Sequence, residues 1–189
     1  AFFVSSNLPV TTAFFDRVEV KDLIAYLRLI NNADDDAAFI RVVNTPRRDI
    51  GATTLEKLGA LAGKRHVSLL RAAQSDAVLG EISSRAASSL GAFAGMIGEF
   101  AARAERIAAA DLVDELSARI NYADHVAAQV KEPSIRDRRL ANLAELSEWL
   151  RAMQKEGAAG DLAAQLALLG QCDRDEPGNA VRLMTLHSA

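Results

Sequence analysis

From Asp16 to Ile30 the apolar residues Val20, Leu23, Ile24, Leu27 and Ile30 return every three or four positions, which predicts a helix burying one stripe. Asp16 with Glu19 reads as its start signal, an Asp-x-x-Glu in which the first carboxylate accepts an orphan amide. Asn31-Asn32 ends it. Asp34-Asp35-Asp36 then places negative charge at the start of a second helix, where the helix dipole favours it. That helix buries Phe39, Ile40 and Val43 and stops at Asn44-Thr45-Pro46. After a turn, helices are predicted over residues 52–65, 68–74 and 81–107, the last with glycines suited to close packing. The next spans 112–130, with a soft interruption near Asn121-Tyr122. Pro133 stands where a first-turn proline is tolerated, ahead of a helix carrying Leu140, Leu143, Leu146, Trp149, Leu150 and Met153 to Gly157. A last helix follows from Asp161 to about Leu169, then a loop over 172–179 and a strand over Val181–Leu186. The pattern is all-α, about seven or eight helices with one stranded tail. A lone terminal strand has no partner, so part of its sheet is expected to lie outside the chain.

Composition agrees with this reading. Half of the 189 residues are hydrophobic, only 5% are aromatic and four are proline, which favours helices over sheets. Cys172 is the single cysteine, so an internal disulfide or a multi-cysteine metal site is excluded and a reducing cytoplasm fits. Ala1-Phe2-Phe3-Val4 has neither the length nor the basic flank of a signal peptide, and no apolar run is long enough for a bilayer.

Charge is uneven along the chain. The net charge is −3, yet from Arg41 to Arg71 seven basic residues face only Asp49 and Glu56, a local +5. Such a segment inside an acidic molecule suits a localised phosphate contact, although ordinary solvated helix faces carry similar charge.

Residue sets for catalysis are absent from the sequence. It contains no glycine-rich phosphate loop with Lys-Ser/Thr, no His-Glu-x-x-His and no Gly-x-Ser-x-Gly. His66, His125 and His187 are scattered and read as surface or packing residues; the three successive aspartates read as capping, since neighbours on a helix point different ways. The informative local feature is the turn Thr45–Gly51. A glycine leading into a helix presents backbone amides at the helix N-terminus, where a phosphate binds readily. Arg47 and Arg48 flank it, and Thr53, Thr54 and Lys57 follow. Such an arrangement holds a sugar-phosphate backbone without reading bases. Taken alone, the same residues also describe an ordinary helix–turn–helix corner.

Three ordered blocks supply the context. Phe14-Phe15-Asp16-Arg17-Val18-Glu19-Val20-Lys21-Asp22-Leu23, followed by Tyr26-Leu27-Arg28-Leu29-Ile30, resembles the Phe-Phe-x-Arg-x-Glu-Ile-Lys-Asp block of Rep/UvrD/PcrA-type superfamily 1A DNA helicases. The run from Asp34 through Phe39-Ile40-Arg41 to Asp49-Ile50-Gly51 is similar to that family's next block. Val181–Ala189 is similar to the start of its motif V, and Arg139–Leu146 to a weaker helix. The Rep branch is nearest in pattern. Two departures stand out: Asp49 occupies the place of the family's first turn glycine, and the Gly-Gly usual before Phe-Phe is missing.

The resemblance implies that residues 14–179 form the helical 2B subdomain inserted in the second RecA-like motor, with 1–13 a remnant of that motor or disordered and 180–189 the motif V strand. It implies a regulatory, duplex-contacting role in an ATP-dependent 3′-to-5′ helicase of replication or repair, without motor activity for this piece alone. Duplex backbone contacts would fall to Thr45, Arg47, Arg48, Gly51, Thr53, Thr54 and Lys57, and Thr185 and His187 would belong to the motor's single-strand contact and coupling element. No cofactor is expected here; ATP and Mg belong to the parent helicase. The implied partners are duplex DNA at a fork, the motor subdomains and a replication or repair protein. The rival expectation is an autoinhibitory or protein-interaction module.

Overall fold

The computed structural model describes residues 12–155, and all the regular structure in that span is helical. The helices are α1 (Thr12–Phe15), α2 (Val18–Asn31), α3 (Asp36–Val42), α4 (Ala52–Arg65), α5 (Leu69–Ala73), α6 (Asp76–Leu79), α7 (Ser84–Ala104), α8 (Ala109–Arg119), α9 (Tyr122–Gln129) and α10 (Pro133–Lys155). The expected helix over 161–169, the strand at Val181–Leu186, Cys172, Thr185 and His187 lie outside the described residues, as do residues 1–11.

Helix α2 runs through the middle. The predicted stripe is buried, but Ala25, Tyr26 and Leu29 are buried as well, so the helix is enclosed on most of its circumference. It packs on α3, α7, α8 and α10. Two carboxylates, Glu19 and Asp22, are buried with it. Asp22 accepts from Arg41 Nε at 2.8 Å and from the Tyr122 hydroxyl at 2.8 Å. Glu19 accepts from the Asn142 side-chain amide, and the Arg139 guanidinium lies 3.9 Å away. Each buried charge is thereby paired or hydrogen-bonded, which is the condition for keeping it inside. These contacts join α2 to α3, α9 and α10.

Several expectations about helix ends change. Asp16 does not cap α2: the N-cap is Arg17, and Asp16 instead pairs with Lys21 at 3.4 Å. Ile40 is 51% exposed, because the buried face of α3 is made by Ala38, Phe39 and Val42. The helix expected from 81 begins only at Ser84; the short α6 ends at Leu79 with Gly80 as its C-cap, and Glu81 pairs with Arg65 at 3.0 Å. Of its glycines, Gly91 serves close packing, since a Cβ there would stand 3.2 Å from the Leu79 side chain. The interruption near Asn121 is a full break, with Asn121 left-handed at φ 51 between α8 and α9.

Other expectations stand. Asp35 caps α3 by accepting from the Ala38 amide at 2.9 Å, while Asp34 takes Arg71 and Asp36 takes the Leu69 amide at 2.8 Å. The three aspartates thus point to three different partners. Ser68 opens α5, accepting from the Arg71 amide. Trp149 is core, edge-on to Phe15 with ring centroids 5.1 Å apart. His66 is the left-handed C-cap of α4, and His125 contacts Gln129 at 2.8 Å.

Both tyrosines of the chain are buried against α2. Burial pushes the Tyr26 hydroxyl up to about 12, with Arg48 pulling the other way. Burial, reinforced by Asp22, pushes Tyr122 up further. A folded pKa above the unfolded value of ~10 means that this stabilisation is intact below pH ~10 and is lost as pH rises towards 12. In an ultraviolet titration the native chain will show little phenolate absorbance at about pH 11, where a free tyrosine is mostly ionised. An ordinary titration near pH ~10 by a chain still folded would contradict this packing.

Candidate nucleic-acid interface

The turn between α3 and α4 is assembled around one side chain. Arg48 bends inward, and its Nη1 donates to the carbonyls of Val42 (3.1 Å), Val43 (3.2 Å) and Pro46 (3.1 Å). Its Nη2 donates to the Tyr26 hydroxyl at 2.7 Å, and the guanidinium lies 5.0 Å from the centre of the Phe93 ring. The Tyr26 hydroxyl in turn donates to the Thr45 carbonyl. Asn44 closes the loop by accepting from the Arg48 amide at 2.7 Å and the Ile50 amide at 3.4 Å. The Thr45–Pro46 peptide is cis. Helix C-terminal carbonyls lack intrahelical donors, and a planar five-donor fork suits several of them at once.

Arg47 does the opposite. Its side chain is 84% exposed and its Nε meets Asp49 at 2.9 Å. The other oxygen of Asp49 takes Arg85 Nη2, also at 2.9 Å, and Arg85 is equally exposed. Asp49 therefore sits between two arginines. The Arg47 hydrogen bond and charge, with Arg85 adding to them, hold its carboxyl below the usual range. Its backbone is left-handed at φ 57, a conformation glycine adopts at no cost and aspartate tolerates. An aspartate here thus keeps a left-handed backbone, and its charge is matched by two cations.

Gly51 is the N-cap of α4 and brings no side-chain acceptor, and the first turn carries no acid. Amides of that first turn therefore lack a capping side chain, as an anion would require. A Cβ on Gly51 would meet nothing within 4 Å, so the space before the helix is open. Thr53 and Lys57, one turn apart on α4, are exposed; Thr54 is half-buried. Thr45 donates its hydroxyl to the Arg41 carbonyl at 3.2 Å and so finishes α3.

Of the residues singled out from sequence, Arg47, Gly51, Thr53 and Lys57 are each exposed, whereas Arg48 and Thr45 are occupied in holding the turn. Arg85 was missed. It stands 36 positions after Asp49, in the first turn of a helix with nothing in its local sequence to mark it. Among the described residues, no helix is long and apolar enough to cross a membrane.

Residues 3–189 match the model of the UvrD-like helicase C-terminal domain. The chain belongs to that family. Within it, the chain is similar to the Rep/UvrD/PcrA-type superfamily 1A helicases. It is 35% identical to the ATP-dependent DNA helicase Rep of Salmonella typhimurium, over all of this chain and 30% of that protein. It is 34% identical to the ATP-dependent DNA helicase PcrA of Bacillus subtilis, over 97% of this chain and 26% of that protein. It is also 34% identical to Rep of Escherichia coli, over all of this chain. The chain thus spans less than a third of the curated relatives it matches.

In this UvrD-like domain the two neighbouring arginines separate cleanly. Arg48→Ala leaves three carbonyls and a buried hydroxyl without their donor, and is expected to cost about 2–3 kcal/mol. Arg47→Ala removes an exposed pair and should stay within about 0.5 kcal/mol of the parent chain. Urea denaturation of both variants measures this. Equal stability of the two would contradict the inward role of Arg48.

Proposed function

We propose that residues 14–179 are the 2B subdomain of an ATP-dependent 3′-to-5′ DNA helicase of replication or repair, acting in the cytoplasm and regulating the motor by gripping duplex DNA. The observation that carries this reading is the uncapped N-terminus of α4 set beside the outward Arg47 and the exposed Thr53 and Lys57. Backbone amides and one or two exposed cations suit phosphate oxygens and discriminate poorly between bases. The relatives' description as DNA helicases supports the choice of DNA as the polyanion. Residues 1–13 and 180–189, with Thr185 and His187, are assigned to the adjoining motor, which would hold ATP and Mg and pull single-stranded DNA. By itself this piece does no ATP chemistry in the proposal.

A second surface supports the reading of 2B as a protein-contacting module as well. Val18 and Ile135 are 55% and 47% exposed and line one groove, with Arg138 and Arg139 at its edge. A motor subdomain is the partner this proposal assigns to it.

The DNA contact is tested with a short fluorescent duplex and the 189-residue chain, titrated across salt concentrations. Arg47→Ala and Lys57→Ala should each weaken binding without altering thermal stability, and each should flatten the log–log salt slope by about 0.9. Wild-type affinity and slope in both variants would remove the turn from the DNA-binding role.

A further inference from the structure

The turn is one wall of a groove. An open cleft of about 440 Å³ runs beside it, with Pro46, Arg47 and Arg48 on one side and Arg119 and Ile120 from the α8–α9 corner on the other. Ser89, Ala92, Phe93 and Met96 of α7 form its floor. Arg85 precedes Ser89 by one helical turn and so lies on the same face of α7. Arg119 is exposed, and no ion pair holds it among the described residues. Arg47 and Arg119 line this cleft, and Arg85 reaches Arg47 through Asp49, which pairs with both. Arg119 is the last residue of α8, and Ile120 and Asn121 turn the chain into α9.

We propose that this cleft seats a second stretch of the phosphodiester backbone of the same DNA, with Arg119 and Arg85 as binding residues. The footprint then runs from the α4 N-terminus across α7 to the α8–α9 corner, joining three elements far apart in sequence. Charge complementarity selects the occupant. A polyanion with regularly spaced phosphates can meet several arginines that come from different helices. Asp49 has a positioning part here, because its two oxygens hold Arg47 and Arg85 side by side. The inference rests on the reading of the turn as a DNA contact, and its own test is separate.

Arg119→Ala, Arg119→Glu, Arg85→Ala and the control Arg136→Ala are compared with Arg47→Ala in duplex binding across salt, with thermal midpoints measured alongside. Arg136 is on α10 and is not among the residues lining this cleft. The expected result is severalfold weaker binding by Arg119→Ala and Arg85→Ala, a slope flatter by about 0.9 for each, a larger loss for Arg119→Glu, and unchanged midpoints. Loss in Arg47→Ala with wild-type binding in all Arg119 and Arg85 variants overturns the cleft and leaves the turn contact standing. Wild-type binding in Arg47→Ala as well overturns both. An equal loss in Arg136→Ala also overturns the cleft, since the effect would then follow net charge alone. A competing acidic peptide that displaces nothing, where inorganic polyphosphate displaces the duplex, supports the phosphodiester assignment; the reverse contradicts it.

Discussion

A helix buried on most of its sides cannot be positioned by hydrophobic burial alone, because apolar packing has no direction. That is the condition of α2, and polar contacts fix its setting. Asp22 binds Arg41 of α3 and Tyr122 of α9; Glu19 binds Asn142 of α10; Tyr26 reaches the α3–α4 turn. Each is a buried polar group whose partners lie on a different element. Loss of any one partner leaves the other unsatisfied, which costs far more than the bond's net worth. The elements around α2 are therefore held in register as well as packed.

The proposed DNA-contacting surface depends on this register. Tyr26 and Arg48 form a chain of donors and acceptors from α2 to the end of α3, and Phe93 of α7 lies against the guanidinium. The turn's own arginine ties it to two core helices. Anchored presentation lets the neighbouring Arg47 and the α4 amides meet a ligand with little ordering cost. Two adjacent arginines thus have opposite tasks, one holding the scaffold and one facing outward.

Helix order and most of the core were legible from apolar spacing: the α2 stripe, the Asp35 cap, the Ser68 start and the Trp149 core follow from local rules. Residues whose fate is set by distant partners were not. Asp16 satisfied the capping pattern, yet it pairs with Lys21. Ile40 had suitable spacing, yet α3 is short and buries a neighbouring face. At the turn, sequence grouped Arg47 with Arg48; only tertiary structure shows that Tyr26 and three carbonyls claim the second. Arg85 and Arg119 carry no local signal, because their nearness to the turn is produced by the packing of α7 and α8 against α2.

In the proposed role, a scaffold built on α2 presents the start of α4 to a DNA backbone. Amide hydrogen exchange of the chain, with and without a saturating duplex, tests it most directly. The account predicts new protection over the turn and the first turns of α4, residues 46–57, with the buried amides of α2 unchanged. Protection confined to the exposed side of α10, with none at residues 46–57, would contradict it.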